Sequence, residues 1–295
     1  MRLGRRMALS AAALVAVILV ALPALAESPF ANWAVIIVAG DSHAHSGAPS
    51  QAFDNARRDL TRAFEAEGFS PGNISQFSAA QPAGAAPARP QPRKGGKTHK
   101  DASTVGAPIA AEPGPPPLQS RQDVIFAELS RLSVQAPDGC LIYITSHGNP
   151  AGVLVGDRML PPPVLGAAVD QSCGNRPTVA IISACFSGVF LPALDGPNRM
   201  VLTAARPDRA SFGCGESDHY TYYDDCILQS LGHIHDLAGL GPAARACVDR
   251  KEIETKAVPP SEPQTEIGGQ LRLMLPLLPL PTPPPRLASK GGGAS

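Results

Sequence analysis

An α/β fold built on a largely parallel sheet is predicted by three features of this 295-residue chain. Uninterrupted apolar runs of strand length recur at 33–39, 140–145, 178–183 and 199–205. Such runs mark strands buried on both faces. Segments with helical spacing of apolar residues alternate with them, which is the pattern of a parallel sheet joined by crossover helices. Finally, two of the runs stop abruptly at residues able to do chemistry, His147 and Cys185. The carboxyl ends of parallel strands are where open α/β proteins collect their functional groups.

The elements follow in chain order. A basic start (Arg2, Arg5, Arg6), an apolar stretch over 7–22 and the small-x-small triplet Ala24-Leu25-Ala26 read as a signal peptide over 1–26, cleaved to leave Glu27. The chain is therefore expected to be exported, to the periplasm or the exterior, without stable membrane insertion once the signal is removed. Residues 27–78 form the first part of the predicted domain. The strand WAVIIVA closes at Gly40-Asp41, and the loop 42–50 carries His43 and His45. No third metal ligand is spaced beside that H-x-H pair, so it reads as a loop lining the mouth of a site. Phe53, Ala56, Leu60, Ala63 and Phe64 recur at helical spacing and Gly68 ends the helix. A short second strand is expected at 73–78.

Over 79–119 the composition shifts to Pro, Ala, Gly and Lys, with Arg89, Arg93, Lys94, Lys97 and Lys100 making it locally basic. It has too little apolar surface to offset the entropy of ordering and reads as a disordered insertion. The domain resumes over 120–275. Val124, Ile125, Leu129 and Leu132 give a helix, followed by the strand that leads to His147. A Gly- and Pro-rich excursion over 148–163 and a helix over 164–170 come next, then the strand that leads to Cys185. A further strand lies at 199–205, a turn-rich loop at 208–215, and a helix over 218–231 entered through Asp218 as its cap. A helix over 241–255 and a last strand at 271–275 complete the domain. The Pro-rich tail 276–295 reads as unstructured.

Basic and acidic residues balance at 25 each, so no nucleic-acid footprint is evident. The six cysteines of an exported chain would ordinarily pair. If Cys185 works as a thiolate, at least one other must be unpaired. Cys140 and Cys173 each lie just upstream of one of the two key strands and are the expected bridge. No C-x-x-C occurs, which removes zinc-ribbon and thioredoxin readings.

A cysteine is nucleophilic only as the thiolate and needs a group to take its proton. An imidazole at the neighbouring strand end does this and can later protonate a leaving amine. Cys185 is thus the candidate nucleophile and His147 the candidate base, with the backbone N–H groups of Gly148 and Cys185 as the candidate oxyanion hole. No metal or organic cofactor is required.

The segments YITSHG (143–148) and ISACFSG (182–188), with VIIVAG (35–40) and LTAARPDRASFGC (202–214), resemble the legumain-like cysteine peptidases of family C13, within the caspase-like clan, and especially their bacterial, exported members. The resemblance runs from about Trp33 to Leu231, broken by the insertion. It implies a caspase-like three-layer α/β/α sandwich and cysteine-type endopeptidase chemistry through a thioester acyl-enzyme. The alternatives are transpeptidation from the same acyl-enzyme or an inactive caspase-like binding module. Where the family carries Asp before the histidine, Glu two places before the cysteine and Glu after it, this chain has Ser146, Ser183 and Phe186. Asp41 or Ser42 is the candidate for orienting the histidine. Ser183, Phe186, Ser211, Glu216 and Asp218 are the candidate lining of the substrate pocket. The partner implied is a peptide or protein substrate; the sequence assigns no oligomeric state.

Overall fold

Strands whose residues are apolar at every position can be stable only with both faces covered, and that is the arrangement in the computed structural model, which describes residues 27–80 and 115–281. In chain order the elements are β1 (Trp33–Ala39), α1 (Ala52–Ala66), β2 (Ile74–Ser78), β3 (Leu118–Gln119), α2 (Gln122–Gln135), β4 (Gly139–Thr145), β5 (Gly148–Asn149), β6 (Gly152–Val155), β7 (Arg158–Leu160) and α3 (Pro162–Cys173). They continue with β8 (Thr178–Ser183), α4 (Leu191–Leu194), β9 (Arg199–Thr203), α5 (Tyr222–Ser230), α6 (Leu240–Thr255), β10 (Gln264–Ile267) and α7 (Gly269–Met274).

The main sheet has seven strands in the order β10-β9-β8-β4-β1-β2-β3. All neighbours are parallel except β10, which runs antiparallel to β9 at one edge. Alternate residues of each strand feed two separate cores. Val35, Ile37, Leu141, Val179, Ile181 and Leu202 pack with α1, α5, α6 and α7, whereas Ile36, Val38, Ile142, Ile144, Ile182 and Val201 pack with α2, α3 and α4. The predicted α/β/α layering is therefore formed. At about 1.5–3 kcal/mol for each fully buried aliphatic side chain, these two cores are the main source of stability.

Two disulfides pin helices at the ends of the cores. Cys140 at the start of β4 bonds Cys173 at the end of α3, as expected, and Cys226 of α5 bonds Cys247 of α6, which sequence reading did not assign. The first closes a separation of 33 residues; loops of this size stabilise by about 3–4 kcal/mol in the chain-entropy account.

Several boundaries differ from the sequence reading. The signal segment 1–26 lies outside the described residues, as do most of the insertion and of the tail. The last residues assigned to the insertion, Leu118 and Gln119, pair with Phe77 and Ser78 as an edge strand. The start of the tail is ordered too, since Leu280 is buried and its N–H donates to the His235 carbonyl. The strand expected at 271–275 is helical. Leu271 and Leu275 are fully buried while Leu273 between them is 77% exposed, a period of four rather than two. The edge strand lies just upstream, at β10. Helix α5 is capped by the Thr221 hydroxyl, which accepts from the Asp224 N–H, and not by Asp218. The 148–163 excursion is a small antiparallel sheet, β5-β6-β7. It docks on the end of β1 so closely that a Cβ on Gly40 would lie 2.2 Å from the Leu154 carbonyl oxygen.

One polar group stands inside the first core. The Asp224 carboxylate, fully buried on α5, accepts from the Tyr143 hydroxyl at 2.7 Å and the Thr145 hydroxyl at 2.6 Å. The Ser183 hydroxyl lies 3.3 Å from that of Thr221, and both help hold the ionised carboxylate. Burial nevertheless dominates and raises the Asp224 carboxyl above its ordinary value. Burial, followed by the Asp224 charge, pushes the Tyr143 phenol well up. Replacing Asp224 with Ala strands two hydroxyl donors and is expected to cost about 3 kcal/mol in chemical denaturation. The native state holds its proton above the ordinary aspartate value of about 3.9, where the unfolded chain has released it, so this group's contribution to stability falls as pH rises through that window. The stability of wild type relative to Asp224→Asn should fall over the same interval; a flat difference would mean the carboxyl is not perturbed.

Candidate functional site

Sheet register sets the geometry. Thr145 of β4 pairs with Ser183 of β8, and the ladder continues beyond them, the Ser146 N–H donating to the Ser183 carbonyl at 3.1 Å. His147 and Cys185 each follow two residues after that matched pair, on neighbouring strand ends. The backbones are in contact there: a Cβ on Gly148 would lie 2.3 Å from the Cys185 carbonyl oxygen and 3.0 Å from the Ala184 Cβ. Only glycine fits at 148, and its absent side chain is what lets the two strand ends close up.

The His147 ring is fixed on three sides. Its Nε2 lies 3.0 Å from the His43 carbonyl oxygen. A carbonyl can only accept, so Nε2 is the donor in this contact, which in the neutral ring leaves the lone pair on Nδ1. Phe53 meets the ring edge-on at 5.1 Å between centroids, and the His45 ring lies tilted against it at 5.0 Å. Of the two residues read as candidate orienters, Asp41 has Oδ2 4.0 Å from Nε2. Its other oxygen accepts from the Ser42 and His43 N–H groups and pairs with the His43 ring at 2.9 Å. Asp41 therefore shapes the loop whose carbonyl holds the histidine. Ser42 takes part through its backbone N–H.

Cys185 is 7% exposed, free of any disulfide, and gripped by Ser211. The Ser211 N–H donates to Sγ at 3.2 Å, and the Ser211 hydroxyl and carbonyl oxygens each lie 3.5 Å from it.

The remaining predicted residues separate. Ser183 belongs to the buried Asp224 network, which corrects its assignment to the pocket lining: its strand parity points it into the first core. Phe186 sits in the left-handed region at φ 59° and donates its N–H to the Arg209 carbonyl, so it marks a sharp backbone reversal directly after Cys185. Asp218 turns back to accept from the Gly215 N–H at 2.7 Å, and exposed Glu216 accepts from the Ser46 hydroxyl at 2.7 Å. These two carboxylates tie the 211–218 loop together and to the 42–50 loop.

Sequence reading missed Cys214. It is the second free cysteine, and one ligand atom each from His45, His147 and Cys214 lie within 4.8 Å of one another. Burial first, then the neighbouring Cys185 and Asp218, pushes the Cys214 thiol up to about 11, so it is a poor nucleophile at neutral pH. The odd cysteine count was the one signal that pointed to it.

The comparisons agree with this architecture. Residues 119–237 match the model of the Peptidase C13 family. The fold is similar to the crystal structure of caspase-1 from Spodoptera frugiperda, with a TM-score of 0.52 and 12% sequence identity over 82% of this chain and 88% of that one. That likeness concerns the fold alone. No curated protein matches significantly by sequence. The family and the fold together support a cysteine-peptidase-like protein acting on peptides or proteins.

The tight contact at 148 is open to test. Gly148→Ala should slow thiol-electrophile labelling of Cys185 on the order of 10²-fold, since a misplacement of about 1 Å costs that much in a preorganised site. Mass spectrometry of the labelled peptide measures it, and a rate within a few-fold of wild type would show that the strand ends do not need this approach.

Proposed function

We propose that the protein is a cysteine-type endopeptidase in which Cys185 attacks the scissile carbonyl and His147 serves as its base. The observation that carries this reading is the pairing of β4 with β8, which continues to His147 and Cys185 on adjacent strand ends while the His43 carbonyl leaves Nδ1 as the basic nitrogen. In the first step Nδ1 takes the thiol proton, sulfur bonds to the carbonyl carbon, and the negative oxygen that develops is met by backbone N–H groups, for which Gly148 and Cys185 are the candidates. Collapse breaks the C–N bond, and the imidazolium gives its proton to the departing amine. Water, activated by the same imidazole, then hydrolyses the thioester.

A peptide amine entering in place of water would give transpeptidation, and an added amine acceptor followed by product mass separates the two outcomes. No specific observation favours that second course. We further propose that residues 1–26 direct export and are removed; the intact mass of the protein recovered outside the cytoplasm tests cleavage before Glu27. Among the described residues no helix is long and apolar enough to cross a membrane.

A peptidyl thiol electrophile is expected to label Cys185 in preference to Cys214, whose thiol stays unlabelled until pH approaches its raised value of about 11. His147→Ala should slow the Cys185 reaction by about 10²–10⁴-fold, the usual worth of a positioned base. Equal rates in the two proteins would eliminate the dyad.

A further inference from the structure

We propose that His45, His147 and Cys214 form a zinc-binding site that shares its histidine with the dyad, so that zinc occupancy shuts the enzyme off. This rests on the reading of His147 as the base. The three residues come from separate segments: the loop after β1, the end of β4 and the loop after β9. One donor atom from each lies within 4.8 Å of the other two. In tetrahedral zinc with two nitrogens and one sulfur, donor atoms stand about 3.4–3.6 Å apart, from bond lengths of about 2.05 and 2.3 Å. A contraction of roughly 1 Å, within reach of side-chain rotation in His45 on its exposed loop, closes the set. The donors are also the right kind, imidazole and thiolate together being the combination that zinc prefers over the oxygen-seeking cations.

Two further observations point to a metal. His147 already has the outer arrangement of a metal-binding histidine, one ring nitrogen held by a backbone carbonyl and the other left with its lone pair. The loops that supply the other two ligands are cross-tied before any ion arrives. Ser46 donates to Glu216 at 2.7 Å and the Ser50 hydroxyl donates to the Gly215 carbonyl at 3.2 Å, tying the segment just after His45 to the segment just after Cys214. Three protein ligands leave the fourth position of zinc for water or another donor.

The chemistry of inhibition is a competition for one electron pair. With Nε2–H donating to the His43 carbonyl, Nδ1 is the only lone pair the ring offers. Zinc at Nδ1 leaves nothing to accept the Cys185 proton. Binding displaces the Cys214 thiol proton into solvent, and chelation of the ion reverses the block with no covalent change.

The test uses the full chain, reduced and freed of metal, titrated with cobalt(II) as a spectroscopic stand-in and with zinc for stoichiometry and activity. A thiolate-to-cobalt charge-transfer band is expected in wild type and in Cys185→Ala, and should be absent in Cys214→Ala. His45→Ala should weaken zinc binding by at least about tenfold, with circular dichroism confirming its fold. Stoichiometric zinc should slow electrophile labelling of Cys185 at least about tenfold in wild type, with the effect largely relieved in His45→Ala. A cobalt band lost in Cys185→Ala and kept in Cys214→Ala would overturn the ligand set, because the thiolate would then be the nucleophile itself. Zinc uptake that depends on His45 and Cys214 but leaves Cys185 labelling unchanged would overturn the inhibition, whereas the role of His147 as base is decided separately, by the labelling rate of metal-free His147→Ala.

Discussion

Asp224 carries a carboxyl with no access to water, yet it is bound from β4 by the hydroxyls of Tyr143 and Thr145, while Ser183 of β8 reaches it through the capping hydroxyl of Thr221. A buried carboxylate must replace the hydration it loses, and a fixed set of hydroxyl donors does so only in one arrangement. That requirement ties the register of β4 against β8 to the position of α5. Thr145 and Ser183 precede the histidine and the cysteine by two residues each, so the polar cluster stands directly beneath the two reactive side chains. An apolar core could cover the same strand faces with more stability and less specificity. Here the geometry of the strand ends matters more than the last few kcal/mol.

The departure of this chain from legumain-like sequences at 183 takes on a different meaning in that light. A serine at this position faces the Asp224 network and supports the strand ends from below. The surface presented to substrate is built instead by loops whose charged residues are largely spent on one another, Asp218 on its own turn and Glu216 on Ser46. Phe186, next to the nucleophile and held in a left-handed conformation, is the exception: it is partly exposed, and its side chain remains open to contact a bound peptide.

The sheet was legible in the sequence because strands buried on both faces leave continuous apolar runs, and those runs located four of the five central strands together with the residues at their ends. Elements held by other forces were not. The 271–275 segment has alternating leucines that fit a strand as well as a helix, and only the exposure of Leu273 between buried Leu271 and Leu275 separates the two. The β5-β6-β7 sheet is made of two- to four-residue strands rich in glycine, too short to show a period. Cys185 and His147 stood out in the sequence as candidates because side-chain chemistry is written in residue type. The contact that orients His147 is a backbone carbonyl, which every residue possesses and which no sequence pattern can mark. Cys214 was invisible as a neighbour of His45 for a related reason: ligands separated by long stretches of chain show no spacing, and only the fold brings the 42–50 and 211–218 loops together.

The same loop that supplies Cys214 also supplies Ser211, whose N–H points at the nucleophile's sulfur, and it is tied to the 42–50 loop that holds the histidine. Cys185, His147 and the two loops beside them are therefore not independent parts: the 211–218 loop hydrogen-bonds the Cys185 sulfur, and through Ser46 and Ser50 it is tied to the segment whose His43 carbonyl faces His147. Because these bonds are partly solvent-exposed, each is individually weak, and the ordered state of the site depends on their being made together. A ligand that bridges both loops from above, whether peptide or metal ion, acts on that cooperative set.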